Sequence, residues 1–263
     1  MRHAHLAALP LLALLLGVTG CDEEKPAPSQ AKSVTAAPAV APAPEPTKTA
    51  APAPRPKKKL EDCPKGPNVT IENSEVEAQI RLKAQKEKGD LTQADLSRVK
   101  SLNISQVDLP EIDICLFSHM TNLKELFLGK GDYDDLSPLA KATKLESLRA
   151  SINQVKDLSP LAEMTKLDRL DLGRTQVTDL SPLANLTLLT ELQLDDTPVE
   201  DLKPLAKLDK LQRLSLKRTK VKDASPLAGL KELKFLYIGG SPLEEDQSTL
   251  AKIKGNGTKV IID

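Results

Sequence analysis

The sequence has 263 residues, enough for one or two ordinary domains, and balances 37 Lys and Arg against 37 Asp and Glu for a formal charge of zero. That balance argues against a strongly basic nucleic-acid binder, and 2% aromatic residues with no Trp argue against a base-stacking platform or an aromatic-centred core. Three Cys are too few for a disulfide-dense scaffold.

Met1 to His5 form a short leader with one fixed charge, Arg2, and Leu6 to Val18 is an apolar run of 13 residues broken only by Pro10 and Gly17. A bilayer span takes about 20 apolar residues, so this run has the length of a secretory signal. Val18-Thr19-Gly20-Cys21 follows and resembles the bacterial lipobox. The resemblance implies cleavage before Cys21, a diacylglyceryl thioether on its sulfur and acylation, palmitate included, of the new N-terminus. The alternative is an ordinary signal peptide that contains a Cys. Lipidation places the chain in a bacterial cell envelope, held to a membrane through Cys21, with the periplasmic or cell-surface face left open.

From Asp22 to Leu60 there are nine Pro, many Ala and no aromatic residue. Such a composition buries no core and favours extended polyproline II, so this stretch is expected to be a tether. It ends in Arg55-Pro56-Lys57-Lys58-Lys59. This run is either a solvated charge cluster or an attachment to anionic lipid or wall polymer. From Glu61 onward there are 29 basic and 33 acidic residues, so the zero net charge is a cancellation between segments.

Ser74-Glu75-Val76-Glu77 and Thr92-Gln93-Ala94-Asp95 both have the form of capping boxes. The first predicts a helix with Val76, Ile80 and Ala84 on one face, stopping near Gly89, and the second a short helix leading into Val99. Cys63 and Cys115 remain once Cys21 is assigned to lipid, and an exported chain with an even remainder predicts a disulfide between them. Two buried free thiols are the alternative.

Shifted by 22 residues, the chain aligns with itself without gaps over 122–143, 144–165, 166–187, 188–209 and 210–231. Counting from Leu123 as position 1, apolar residues recur at positions 1, 4 and 6, usually Val at 11 and Leu at 14, and always Leu at 17. Self-similarity at such a period is the signature of a solenoid. Leu-x-Leu at positions 4 and 6 predicts a short strand with one face inward. Asn153, Thr175, Thr197 and Thr219 at position 9 are placed to satisfy inward-turned backbone groups. Asp-Leu-Ser-Pro-Leu then predicts a 3₁₀ or α turn, with Ser as N-cap and Pro opening the helix.

The unit Lys166 to Thr187, KLDRLDLGRTQVTDLSPLANLT, resembles the 22-residue leucine-rich repeats of bacterial internalin-like proteins, and the likeness covers roughly residues 90–253. It implies an α/β leucine-rich-repeat solenoid: short parallel strands on the concave face, short 3₁₀ or α turns on the convex face, and a helical N-terminal cap. The first repeat, carrying Val99, Leu102 and Ile104, is about two residues longer than the rest. The last, carrying Leu233, Leu236 and Ile238, loses the helix-starting Ser-Pro, gains a residue before Leu250 and is followed by a closing strand from Lys259 to Ile262. The expected organisation is therefore a signal at 1–20, lipidated Cys and tether at 21–60, a cap at 61–98, repeats at 99–253 and a closing strand at 254–263.

Positions 3, 5 and 7 alternate with the core leucines and are expected to face outward on the concave sheet. Candidate partner contacts there are Phe127, Arg149, Arg169, Asp171, Glu191, Gln193, Arg213, Lys217, Phe235 and Tyr237. Exposed aromatics beside Arg are the material of interaction hot spots. Alternatively, the rings lie under the two ends of the solenoid, and the charge columns Arg169–Glu191–Arg213 and Asp195–Lys217 neutralise themselves.

His119 is the one histidine outside the signal and has no evident catalytic constellation, so no enzyme, cofactor or metal is expected. Asp132 to Asp135 lacks a Ca²⁺ loop, and Gly129-Lys130-Gly131 lacks the context of a phosphate loop. The expected function is presentation of a rigid concave surface to a protein partner, with no nucleic acid involved. The alternative is an envelope spacer whose basic tether engages wall polymer or anionic lipid.

Overall fold

The computed structural model describes residues 58–262; the signal, Cys21 and the tether as far as residue 57 lie outside the described residues. Two helices come first. α1 (Ser74–Ala84) buries Val76, Ile80 and Ala84 along one face, as the spacing requires. Its cap is Asn73 rather than Ser74: the Asn73 carboxamide oxygen accepts from the N–H groups of Glu75 and Val76, both at 3.0 Å. An Asn side chain reaches both donors from one residue earlier, which leaves Ser74 as the first helical residue. The helix also stops at Ala84, well before Gly89, because Gln85 itself takes the left-handed conformation, φ 54°.

In α2 (Gln93–Arg98) the Thr92–Asp95 box forms as expected. Asp95 accepts from the Thr92 N–H at 2.9 Å and from the Lys86 ammonium at 2.7 Å. The Lys86 hydrogen bond, followed by those from Thr92, holds this carboxyl well below the usual carboxylate range.

Eight three-residue strands then form one open parallel sheet in chain order: β1 (Ser101–Asn103), β2 (Glu125–Phe127), β3 (Ser147–Arg149), β4 (Arg169–Asp171), β5 (Glu191–Gln193), β6 (Arg213–Ser215), β7 (Phe235–Tyr237) and β8 (Lys259–Ile261). From β2 to β7 the register advances by one repeat per strand, aligning Leu126, Leu148, Leu170, Leu192, Leu214 and Leu236. The two terminal steps, Leu102 to Leu126 and Leu236 to Val260, are each longer.

The core is a stack of leucine rows. Positions 1, 4, 6, 11, 14 and 17 are buried in the unit from Lys166, through Leu167, Leu170, Leu172, Val177, Leu180 and Leu183. A further buried row, unforeseen in the sequence, stands at position 20: Ala142, Met164, Leu186, Leu208 and Leu230. One coil cannot enclose these side chains, so each coil is stabilised by its neighbours. Removing one such Leu costs about 2–5 kcal/mol.

Position 9 performs as expected. The hydroxyls of Thr175, Thr197 and Thr219 donate to Leu172, Leu194 and Leu216 carbonyls at 2.8, 2.6 and 2.8 Å. Ser241 continues the row toward the Ile238 carbonyl at 2.7 Å.

The convex side is made of 3₁₀ turns such as Ser159–Leu161 and Ser181–Leu183. Ser is not their N-cap. The preceding Asp caps them: Asp157 and Asp179 each accept the N–H of the Ser two residues on at 2.8 Å. The reason is geometric, because a carboxylate two residues back reaches the first free N–H while Leu occupies the cap site itself.

The last coil differs from expectation. Ser241-Pro242 opens a 3₁₀ turn at Pro242–Glu245, and a helix follows, Gln247–Gly255, capped by Asp246. It buries Leu250 and Ile253 and spans both sides of residue 253. With the short helix Ile114–Phe117 of the first coil labelled α3, this one is α4. The Cys63–Cys115 disulfide joins the segment before α1 to α3, with Cα atoms 5.3 Å apart.

Candidate functional site: the concave sheet face

Every strand presents its first and third residues on the face opposite the core leucines, so positions 3 and 5 form two rows across the sheet. Not all of the expected positions are accessible. Position 7 is largely buried, since Gly129, Ser151, Gly173 and Gly239 are covered, and Ser147 and Ser215 are buried within the strands. Small residues allow the coils to close over these points.

Of the candidate contacts, Arg149, Arg169 and Gln193 are exposed, and Phe127, Asp171, Glu191, Arg213, Lys217, Phe235 and Tyr237 are half-buried. Nine of them lie on β2 to β7, and Lys217 stands two residues past the end of β6. Phe127, Arg149, Arg169 and Gln193 border a shallow depression of about 250 Å³.

The charge columns pair selectively. Arg149 Nε lies 3.0 Å from Asp171 on the next strand, and Arg213 lies 2.8 Å from Glu191. Arg169 does not pair with Glu191: its Nε turns toward the adjacent Asp168 at 3.5 Å. The Asp195–Lys217 column is not an ion pair either. Asp195 accepts from the Ser215 hydroxyl at 2.5 Å and the backbone N–H of Lys217 at 2.9 Å. The Lys217 ammonium instead stands 5.4 Å from the Tyr237 ring centre, and the Arg213 guanidinium 5.5 Å from that of Phe235. Such contacts stabilise an exposed cation by about 0.5–1 kcal/mol.

The other two aromatics, Phe117 and Tyr133, are buried. Tyr133 takes the place of Val at position 11 and donates to the Gly129 carbonyl at 3.3 Å; burial pushes its phenol up to about 12. Phe235 and Tyr237 are not under a lid: β8 flanks them in the sheet plane, with Lys259 opposite Phe235 and Ile261 opposite Tyr237.

Gly129 and Gly131 have a packing role. A Cβ on Gly131 would meet the Leu109 carbonyl oxygen at 1.7 Å, and one on Gly129 the Val107 oxygen at 1.8 Å. The longer first coil crosses here, backbone on backbone, and leaves a groove of about 470 Å³ beside Pro110, Lys130, Ile152 and Arg174 at the rim.

His119 is half-buried beside the disulfide, its imidazole pushed down by burial and then by Lys141. Among the described residues no group of three or more His, Cys, Asp or Glu is placed to hold a metal ion. Asp135 belongs to the turn-capping row, accepting the Ser137 N–H at 2.7 Å.

The family model described as "Leucine Rich repeats (2 copies)" matches residues 143–185 and 165–207. Among solved structures the chain is similar to an internalin, InlF, of Listeria monocytogenes, with 26% identity, a TM-score of 0.58 and coverage of 72% of this chain and 62% of that one. It is also similar to internalin C2 of the same species, with 29% identity, a TM-score of 0.56 and coverage of 72% of this chain and 91% of that one. A Leptospira interrogans leucine-rich-repeat protein shares the fold at 19% identity and a TM-score of 0.51, covering 65% of this chain and 51% of that one. The chain thus spans somewhat less than two thirds of the InlF chain, 62%. A comparison with curated proteins gives no match. The repeat period, the open parallel sheet with its convex 3₁₀ turns and these likenesses agree: residues from β1 to β8 form a leucine-rich-repeat solenoid similar to those of the internalins.

Proposed function

We propose that this chain is a lipid-anchored protein of the bacterial cell envelope that presents the concave sheet face to a protein partner. Leucine-rich repeats are interaction scaffolds, and the observation that carries the reading is the arrangement of positions 3 and 5. Charged, amide and aromatic side chains stand there in register, backed by fully buried leucines. A surface held this rigidly loses little ordering entropy when a partner docks. Val18-Thr19-Gly20-Cys21 supports the anchor, with the lipid on Cys21 and α1 and α2 covering the N-terminal end of the solenoid.

The spacer alternative requires a free basic run at Arg55 to Lys59. Two of its charges are engaged by the domain itself, Lys58 with Glu72 at 3.2 Å and Lys59 with Glu61 at 3.5 Å, which favours the concave-face reading.

Crosslinking in intact cells tests it. Simultaneous Arg169→Ala, Arg213→Ala and Tyr237→Ala substitution is expected to abolish capture of the partner, while deletion of residues 55–59 leaves it intact. The reverse pattern overturns the reading. Cys21→Ala is expected to move the protein from the membrane fraction to the soluble one, and retention in the membrane fraction would remove the lipid anchor from the account.

A further inference from the structure

The concave face neutralises its charges in the middle and not at its ends. Arg149–Asp171 and Arg213–Glu191 pair across neighbouring strands. Past β6 the pairing stops. Asp195 is engaged by the Ser215 hydroxyl and a backbone N–H, which leaves the Lys217 ammonium on the Tyr237 ring with no carboxylate at ion-pair distance among the described residues. Lys259 is exposed, also without an ion pair among the described residues, and stands opposite Phe235. Toward the other end, on β2, the exposed Glu125 accepts the Ser101 hydroxyl at 3.0 Å and has no ion pair among the described residues, so the face runs from an anionic end to a cationic, aromatic one.

The cationic end has a definite spacing. Arg213, Phe235 and Lys259 occupy one row on β6, β7 and β8. Strands lie about 4.8 Å apart, so the two cations are separated by roughly 10 Å with an aromatic ring between them. A polyproline II chain advances about 3.1 Å per residue with three residues per turn, so carboxylates three residues apart stand on one side of it at about that separation. Seating on rings strips water from one side of the Arg213 and Lys217 cations and restrains flexible side chains, which lowers the ordering cost of meeting an anion.

Resting on the protein-partner reading above and specifying it, we infer that β6 to β8 form the subsite for an extended acidic segment of the partner. The segment places carboxylates at positions i and i+3 against Arg213, where it competes with Glu191, and against Lys259, and its chain crosses Phe235 between them, with Lys217 and Tyr237 as a second cation–ring pair beside them.

The test uses synthetic dodecapeptides with Glu at i and i+3 around a Leu, the same peptides with Lys for Glu, and vesicles of phosphatidylglycerol. The chain has two Tyr and no Trp, so in a Tyr133→Phe background Tyr237 fluorescence reports directly from the subsite. The Glu probe is expected to saturate the signal and to weaken with added salt. Lys217→Gln with Lys259→Gln should weaken it at least about tenfold, while Arg149→Gln, toward the other end of the face, changes it less than about twofold. Circular dichroism of each variant separates lost binding from lost folding. Equal binding of the Lys probe, an unchanged affinity in the double variant, or saturation by the vesicles with none by the Glu probe overturns the inference. If the probe fails while the Arg169, Arg213 and Tyr237 triple substitution still abolishes crosslinking in cells, the partner reading stands and the acidic-segment assignment falls. If crosslinking also survives the triple substitution, both fall.

Discussion

Position 8 of successive coils is held in the left-handed region: Ile152 at φ 63°, Arg174 at 57°, Asp196 at 56°, Arg218 at 53° and Gly240 at 73°. The turn out of each strand requires it, and the buried Asn or Thr that follows bonds the strand end. Arg174 and Arg218 both reach Asp196, which sets charges of opposite sign along this row. Ile152 has no such compensation. A left-handed conformation costs an L-residue roughly 1–2 kcal/mol, a β-branched one is a genuine outlier there, and this residue remains 44% exposed. Ile152→Asn is therefore expected to raise stability by about 1 kcal/mol, read as a higher urea midpoint. A fall would mean that contacts of Ile152 in the rim groove outweigh the strain. Gly131→Ala is expected to act oppositely, lowering the midpoint by several kcal/mol equivalent because backbone must move. Gly229→Ala, with open space around its Cβ, is the control and should be neutral or slightly stabilising.

The convex turns depend on one carboxylate each. Asp157 and Asp179 are held below their ordinary range by hydrogen bonds from the hydroxyl and then the N–H of Ser159 and Ser181. Removing the Asp179 cap by Asp179→Ala should cost about 1 kcal/mol. A folded-state value below the unfolded one means that the unfolded chain takes up protons first. The stabilisation is thus present above about pH 4 and is lost as pH falls through the folded-state values. Urea midpoints measured against pH should fall on that acid side, and less steeply in an Asp157→Asn, Asp179→Asn variant; parallel curves would assign the acid sensitivity to other carboxylates. At this scale the strand-and-turn pattern was legible because period-two leucines and Ser-Pro act locally. The cap was misassigned because Asp and Ser are both good caps by type, and only backbone geometry decides which oxygen faces the free N–H.

A solenoid is stabilised by neighbour contacts, so damage stays near its origin. The Cys63–Cys115 bridge closes a separation of 52 residues and ties the segment before α1 to the first coil. In the chain-entropy account such a bridge stabilises by about 3–4 kcal/mol. Reduction is expected to speed hydrogen exchange in α1, α2 and β1 far more than in β5 and β6; uniform acceleration would show that the coils unfold as one cooperative block. The coils next to this bridge carry other exceptions to the repeat: the first takes a longer step to the next strand, and the second has Tyr133 for Val and Gly131 at position 9.

The sequence alone determined the solenoid, its strand rows, its buried leucines and the set of side chains on the concave face, because a strict period repeats the same local physics in every coil. Tertiary structure decided which of those side chains are accessible and which charges remain uncompensated. Those outcomes depend on distances across strands: Arg169 turning to Asp168 rather than Glu191, Asp195 choosing a hydroxyl and a backbone N–H over an ammonium, and Lys217 settling on Tyr237. Zero net charge in the sequence thus becomes, in three dimensions, a face that is neutral in the middle and cationic at one end, because hydrogen bonds select partners by geometry while composition only counts them.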